Sequence, residues 1–556
     1  MTSVSDYEFT ANVEPPLVLS EPGDGDWTDE ADIVVVGFGG AGVVASLQAL
    51  EAGASVIALD RFEGGGATER SGGVVYAGGT KYQREAGYDD SAEEMYKYLS
   101  FEGVPVQPAT LRRFCEASKD DIDWVESFGV EFGSTCFEDR VAYPPDDFFL
   151  YYTGMEKFRG DVAKIAPRGH RTKGKGATGK NYFGPLKHAA LEKGVTLKTH
   201  SPVRRLILND EGRVIGVEVQ EVPDDEKAKH QDLFKRVDPY KPLNGAKSEI
   251  AIAECAEFEA SVEDVRKRYR ARRAVILATG GYNYNIELFA RYRPVVKKAY
   301  KELVRGGSMG CDGSGIELGV SAGGGLSHMD RLFCTKAISP PHQFIEGVLV
   351  NRQGERFIAE DAYVGNVGCA VSEQDQDGEA WLILDSNTFW TGVRQAIWPV
   401  SNMVSWWGMP VILNLLFGGT KRASSLQLLA RKLSIDPVGL EKTFTEYNAA
   451  AAETSDPRHG KLAQHISVQD KAPYYAYNLS FRNKWGFSGT MPYGGLVVDE
   501  DSGEVQTTAG ENIKGLYAAG RTAVGVCSEA NFSGLSIADT IFSGRRAARA
   551  ALQRNA

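Results

Sequence analysis

Near the N-terminus the spacing of apolar positions changes twice. Residues 32–36, Asp-Ile-Val-Val-Val, run without a polar break into Gly37, as a strand covered on both faces does. From Val43 to Gly53 the apolar residues recur at helical spacing, and Ser55-Val-Ile-Ala-Leu-Asp60 is again a continuous run. This predicts strand, glycine turn, helix and strand, a βαβ unit. Arg273-Ala-Val-Ile-Leu-Ala-Thr-Gly-Gly281 predicts another buried strand, Gly515-Leu-Tyr-Ala-Ala-Gly520-Arg a further element near the C-terminus, and the segment from Ser536 a helix with one apolar face.

Two stretches break this pattern. Residues 221–273 are much more charged than their surroundings and end in Arg266-Lys-Arg-Tyr-Arg-Ala-Arg-Arg273. They are read as a solvated insertion between two strands, with a nucleic-acid patch as the alternative. Residues 395–420 carry no charge and include Trp398, Trp406 and Trp407. Two prolines and several polar side chains argue against a spanning helix. The stretch is either an apolar part of a cap packed on the core or, with Arg394, Lys421 and Arg422 at its flanks, a surface that meets lipid or admits an apolar ligand.

Composition adds limits. The chain of 556 residues is too long for one core. A net charge of −12 argues against a protein that wraps nucleic acid, so no nucleic-acid partner is expected. The 7 cysteines include no C-x-x-C pair, so disulfide frameworks, iron–sulfur ligation and c-type haem lack their spacing signature. Residues 1–30 are acidic, with no basic segment followed by an apolar one, and a cytoplasmic protein is expected, with membrane association through 395–420 left open. The 62 glycines exceed ordinary usage and gather in loops.

Those loops carry the chemistry. Gly37-Phe-Gly39-Gly40-Ala41-Gly42 follows a strand and opens a helix, and Asp60 ends the next strand. Gly37 permits the turn, Gly39 lets backbone approach a pyrophosphate at the helix N-terminus, Gly42 allows close packing, and Asp60 can bind a ribose hydroxyl. A second glycine loop spans 64–73.

With these motifs in this order, the chain resembles, over nearly its whole length, the flavoproteins of the fumarate reductase and succinate dehydrogenase superfamily. The resemblance implies an α/β fold: a Rossmann-like FAD-binding domain interrupted by an α+β cap. It divides the chain into an acidic leader (1–30), a first FAD part (31–324, with the charged insertion at about 221–270), a cap carrying catalytic residues (325–470) and a second FAD part (471–556). It implies that FAD is held by Gly37, Gly39, Gly40, Ala41, Gly42, Asp60 and Arg61; by Thr68, Ser71, Gly72 and Gly73; by Ala278, Thr279, Gly280 and Asp312; and by Gly520, Arg521, Ser536 and Ile537. Succinate dehydrogenases attach flavin covalently to a histidine in the loop that here reads Glu69-Arg-Ser71-Gly-Gly; without it, non-covalent FAD is implied.

The same resemblance sets the substrate. Fumarate reductases carry Asn-Arg-Leu-Gly-Gly-Asn where this chain has Asn531-Phe532-Ser533-Gly534-Leu-Ser536, so a dicarboxylate loses its bidentate partner. In Arg356-Phe-Ile-Ala-Glu-Asp-Ala-Tyr363 a tyrosine replaces the family's proton-donating arginine. This looks like the 3-ketosteroid dehydrogenases, in which that tyrosine removes a proton beside the ketone. Ser533 and Gly534 match their Tyr-x-Ser-Gly loop, while Asn531 replaces its tyrosine and leaves the desaturated bond open; Phe532, Tyr76 and Tyr152 are implied to line the substrate. The implied function is FAD-dependent desaturation of a cyclic apolar ketone, a 3-ketosteroid foremost, by α-proton abstraction and hydride transfer, with electrons passing to an external acceptor such as a quinone. Reduction of another hydrophobic enone and service as the flavoprotein subunit of a membrane redox complex are the alternatives.

Overall fold

The computed structural model describes residues 7–20, 26–138, 141, 143–239, 244–336, 338–339, 341–375, 377–397, 408–486, 488–529 and 532–553. The predicted βαβ unit forms: strand Asp29–Val36, helix Gly40–Glu51 and strand Val56–Leu59, the two strands parallel with Ile33 opposite Val56. They belong to a nine-stranded sheet in which Val265–Leu277 is the longest member. Its second half runs parallel to Asp29–Val36 on one side and to Asn512–Ala518 on the other. The C-terminal segment therefore returns to the same layer as the first strand, and helix Leu535–Gln553 packs against Gly40–Glu51.

The cap has its own antiparallel sheet of Val348–Val350, Trp381–Leu384, Tyr474–Asn478 and Lys421–Ala423. Because Tyr474–Asn478 is a cap strand, the cap runs beyond the expected limit at 470. A small sheet joins the two parts of the molecule. In it Gly489–Pro492 pairs with Val304–Arg305 on one edge and Leu332–Thr335 on the other.

Two expectations about the segments change. The acidic leader is not a separate tail: Leu17–Leu19 adds an edge strand parallel to Val203–Asn209, and the Thr10 and Ala11 amides bond the buried Glu317 carboxylate at 3.0 and 2.7 Å. The charged insertion is not merely solvated, because its helices Lys227–Arg236 and Gly245–Ser261 bury Leu233, Phe234, Cys255 and Phe258. The basic run lies in strand Val265–Leu277, where carboxylates match it: Arg266 meets Glu14 and Asp264, Arg268 meets Glu218, and Arg272 meets Glu30. Of the apolar stretch 395–420, residues 398–407 lie outside the described residues. Helix Gly408–Phe417 buries Val411 and Asn414 and exposes Leu416 and Phe417. Among the described residues no helix is long and apolar enough to cross a membrane.

Candidate active site

One cavity of about 1030 Å³ runs between the parts, at the upper end of the roughly 300–1,000 Å³ of ordinary ligand sites. Backbone constraint builds its floor. Gly37 has φ +93°, and its amide bonds the Leu59 carbonyl at 2.7 Å. A Cβ there would lie 2.7 Å from the Ala278 carbonyl oxygen, so only glycine closes the turn against the neighbouring strand. Gly39 is the N-cap of helix Gly40–Glu51, which leaves the first amides of that helix free for an anion.

The residues expected to hold FAD come together here. Gly37, Gly39, Gly40, Ala41, Asp60, Arg61, Thr68, Ser71, Gly72 and Gly73 line the cavity from the first domain segment. Ala278, Thr279, Gly280, Asp312, Gly520, Arg521, Ser536 and Ile537 line it from the others. Gly42 is the exception: it sits behind the wall, where a Cβ would fall 1.9 Å from the Gly37 carbonyl oxygen, and serves packing alone. Asp60 has a second task besides facing the cavity. Its carboxylate accepts the Phe38 and Phe62 amides at 2.8 Å each and so ties the two ends of the turn together; burial pushes its pKa up.

The fit to a dinucleotide shows in groups left without partners. Thr279 Oγ1 and Arg521 Nη1 are buried on this wall with no hydrogen-bond partner among the described residues. Such groups carry a desolvation cost unless a ligand completes them. A polyhydroxylated, anionic chain has the acceptors they lack.

The other functional group of residues, Tyr363, Phe532, Ser533 and Gly534, lines the same cavity, as do Phe333, Thr335, Met491 and Tyr493. Tyr363 is the N-cap of helix Val364–Ser372 and is 3% exposed. Ser533 and Gly534 precede helix Leu535–Gln553; Gly534 has φ +89°, and its carbonyl accepts the Tyr76 amide at 3.2 Å. Tyr151 donates to Ser533 Oγ at 3.2 Å. Burial, followed by the nearby Tyr363, holds the Tyr151 hydroxyl well above its ordinary pKa, so Tyr151 stays a donor. The Ser533 proton is then free to point into the cavity. Tyr493 is likewise raised by burial, and the charge of Tyr363 adds to the shift.

Two expected lining residues are not on the wall. Tyr76 is fully buried one layer back, its ring 5.1 Å from that of Phe532. Tyr152 meets the Tyr88 ring, while its neighbour Tyr151 reaches the lining residue Ser533. Asn531 lies outside the described residues. Sequence reasoning missed Tyr493 and did not single out Tyr151. The aromatic pair Tyr151-Tyr152 and the aromatic residue in Met491-Pro-Tyr-Gly-Gly were the signals available.

Phe532 is 6% exposed, and its ring also lies tilted against that of Tyr98, with centroids 6.0 Å apart. Behind these rings Arg168, with 0% exposure, makes a two-pronged bond to Asp90 at 2.9 and 2.7 Å. Phe532 makes the lining apolar at this position, and the buried Arg168 behind it spends Nε and Nη2 on the Asp90 carboxylate.

Known proteins fit this arrangement. Residues 32–534 match the family model described as FAD binding domain. The chain is 35% identical to 3-oxo-5-alpha-steroid 4-dehydrogenase of Comamonas testosteroni over 94% of this chain and 98% of that protein. It is 26% identical to a probable fumarate reductase of Shewanella frigidimarina, over 93% of this chain and 74% of that one. In structure it is similar to the 3-ketosteroid-delta4-(5alpha)-dehydrogenase of Rhodococcus jostii RHA1, solved with 4-androstene-3,17-dione. The TM-score is 0.77 at 29% identity, covering 97% of this chain and all of that one.

Proposed function

The chain belongs to this FAD-binding family and is an FAD-dependent oxidoreductase acting on CH–CH groups, and from that premise we propose that it desaturates a 3-ketosteroid beside its carbonyl with non-covalently bound FAD. The observation that carries the reading is that Tyr363, the Ser533–Gly534 turn and apolar Phe532 line one and the same cavity. The relatives named for steroid dehydrogenation at the 4-position support a C4–C5 bond as the one that becomes unsaturated.

Bound FAD supplies the two-electron acceptor for this chemistry. The chain's own groups do the rest. The Ser533 hydroxyl, held by Tyr151, and the Gly534 amide donate to the ketone oxygen; a donor at a helix N-terminus stabilises developing negative charge there. Polarising the carbonyl acidifies the neighbouring C–H, and the Tyr363 phenol oxygen takes that proton. An isolated phenol has a pKa near 10, so the surrounding hydroxyls of this pocket must lower the cost of the anion. Phe333, Met491 and Phe532 keep water from the reacting face and match an apolar ring system. No histidine stands in the loop 64–73 to bond flavin, and the electrons leave to an external acceptor.

The test is anaerobic incubation of the yellow protein with saturated 3-ketosteroids, small cyclic ketones and succinate. Bleaching of the flavin by a 3-ketosteroid, with NMR of the product showing a C4–C5 double bond, is the expected result. Bleaching by succinate alone would overturn it.

A further inference from the structure

The charged insertion is a sequence feature that the proposed chemistry does not use. Its two helices nevertheless share a core with the walls of the cofactor cavity: Phe234, Cys255 and Phe258 cluster with Phe62, Met309 and Cys311. We propose that this insertion is a latch on the adenosine end of FAD, which positions Arg61 and Phe62 and sets how slowly the cofactor leaves.

The end of the cavity is identified by the βαβ unit itself. The glycine turn takes the pyrophosphate, and the carboxylate at the end of the second strand marks the ribose. Arg61 and Phe62, which follow Asp60 directly, therefore stand at the adenosine. Both line the cavity, as do Arg70, Arg204 and Phe234.

Arg61, Phe62, Arg70 and Arg204 are held from the insertion, to which Phe234 itself belongs. Glu259, on helix Gly245–Ser261, takes Arg61 Nε on one oxygen at 2.6 Å and Arg204 Nη2 on the other at 2.9 Å. His230, on helix Lys227–Arg236, approaches the same carboxylate through Nε2 at 3.0 Å. Glu259 is 2% exposed. Burial alone would raise its pKa, yet the Arg61 charge, the His230 bond and Arg204 together hold it far below the usual carboxylate range. The other side of Arg61 bonds Asp312 at 2.8 Å. Phe62 packs on Phe234 with ring centroids 4.3 Å apart, and Arg70 lies over the same Phe234 ring at 4.3 Å while donating to the Val237 carbonyl at 2.6 Å. A third tie runs from Glu249 to Arg305 at 2.5 Å, just before the lining residues Gly306, Ser308 and Asp312.

His230, Cys255 and Glu259 also sit within the spacing of a metal triad. Two guanidiniums already occupy the Glu259 oxygens, however, and a divalent cation would face both of them. The cation this carboxylate serves is Arg61.

The latch is tested on the holoenzyme by following FAD release as recovery of flavin fluorescence after dilution. Glu259→Gln removes the charge that fixes Arg61 and Arg204, and Phe234→Ala removes the ring under Phe62. Each should speed release by about 10–100-fold, the equivalent of losing one charge-assisted bond or one packed ring. The flavin absorption maxima should not move, because the isoalloxazine end is untouched. Phe234→Tyr should restore slow release, and Glu254→Gln, on the exposed side of the same helix, should release FAD as the wild type does. Release within twofold of wild type in folded Phe234→Ala overturns the proposal, whether or not Glu259→Gln folds. So does faster release in Glu254→Gln to the same degree, since that would report general loosening of the helix.

Discussion

At the residue scale, the site depends on which groups are forced to keep or lose a proton. Tyr363 is the only proposed proton acceptor on the wall it shares with Ser533 and Phe532. Replacing it with phenylalanine should lower kcat for dehydrogenation by about 10²–10⁴-fold while the protein stays yellow; near-normal turnover under single-turnover conditions would remove it as the base. A second prediction concerns Glu156, buried in the layer behind Phe532 with its carboxylate on the Gly154 amide at 2.8 Å. Burial, partly opposed by the charge of Arg168, pushes its pKa up to about 7. A raised acid contributes its full stability below the unfolded value, and that stability is lost as pH rises from about 4.5 through about 7. Glu156→Gln should flatten this decline by on the order of 3 kcal/mol, read as the pH dependence of Tm for the two proteins. An equal slope in both would show that Glu156 titrates normally.

Elements decide which parts of the site a sequence reveals. The glycine turn was legible because its constraint is local: Gly37 needs a positive φ and Gly42 has no room for a Cβ, whatever the rest of the chain does. Gly39, which lines the cavity, and Gly42, which does not, can be told apart by experiment. A methyl group at Gly42 would lie 1.9 Å from the Gly37 carbonyl oxygen, so Gly42→Ala should destabilise the protein even without FAD, by about 1–3 kcal/mol or more. At Gly39 the nearest atom to an added Cβ is 3.7 Å away. Gly39→Ala should therefore leave the Tm of the FAD-free protein unchanged and weaken FAD binding only; equal loss of apo stability in both variants would contradict the division of roles. Tyr493 was illegible for the opposite reason. It follows a strand, Gly489–Pro492, whose partners come from distant parts of the chain, and no local pattern announces that meeting. The insertion lies between these cases: Leu233, Phe234 and Val237 form an apolar edge in an otherwise charged stretch, and the charge drew attention away from it.

The whole molecule is closed by segments that composition would assign to the periphery. The leader supplies an edge strand, and Asn12 reaches the cofactor cavity. Its Glu14 amide bonds the Arg204 carbonyl at 2.7 Å while Arg204 Nη1 returns to the Asn12 carbonyl at 3.1 Å. An acidic, Pro-containing segment looks solvated in sequence, whereas here both its backbone and its side chains attach it: the Thr10 hydroxyl bonds Glu317 at 2.8 Å, Glu14 pairs with Arg266, and Val13 is buried. Removing residues 2–20 should uncover the edge of Val203–Asn209, an invitation to strand pairing between molecules. It should also strip the Thr10 and Ala11 amides from Glu317, which is 0% exposed, at a cost of about 1–3 kcal/mol or more for a buried group left unmet. The truncated protein is expected to melt earlier, to release FAD faster and to aggregate. Glu317→Gln in the truncated background should recover part of the Tm by removing the stranded charge. A truncation that leaves Tm and FAD release unchanged would mean that the leader only rests on the sheet; a lowered Tm that Glu317→Gln does not raise would place the loss at the uncovered strand edge instead.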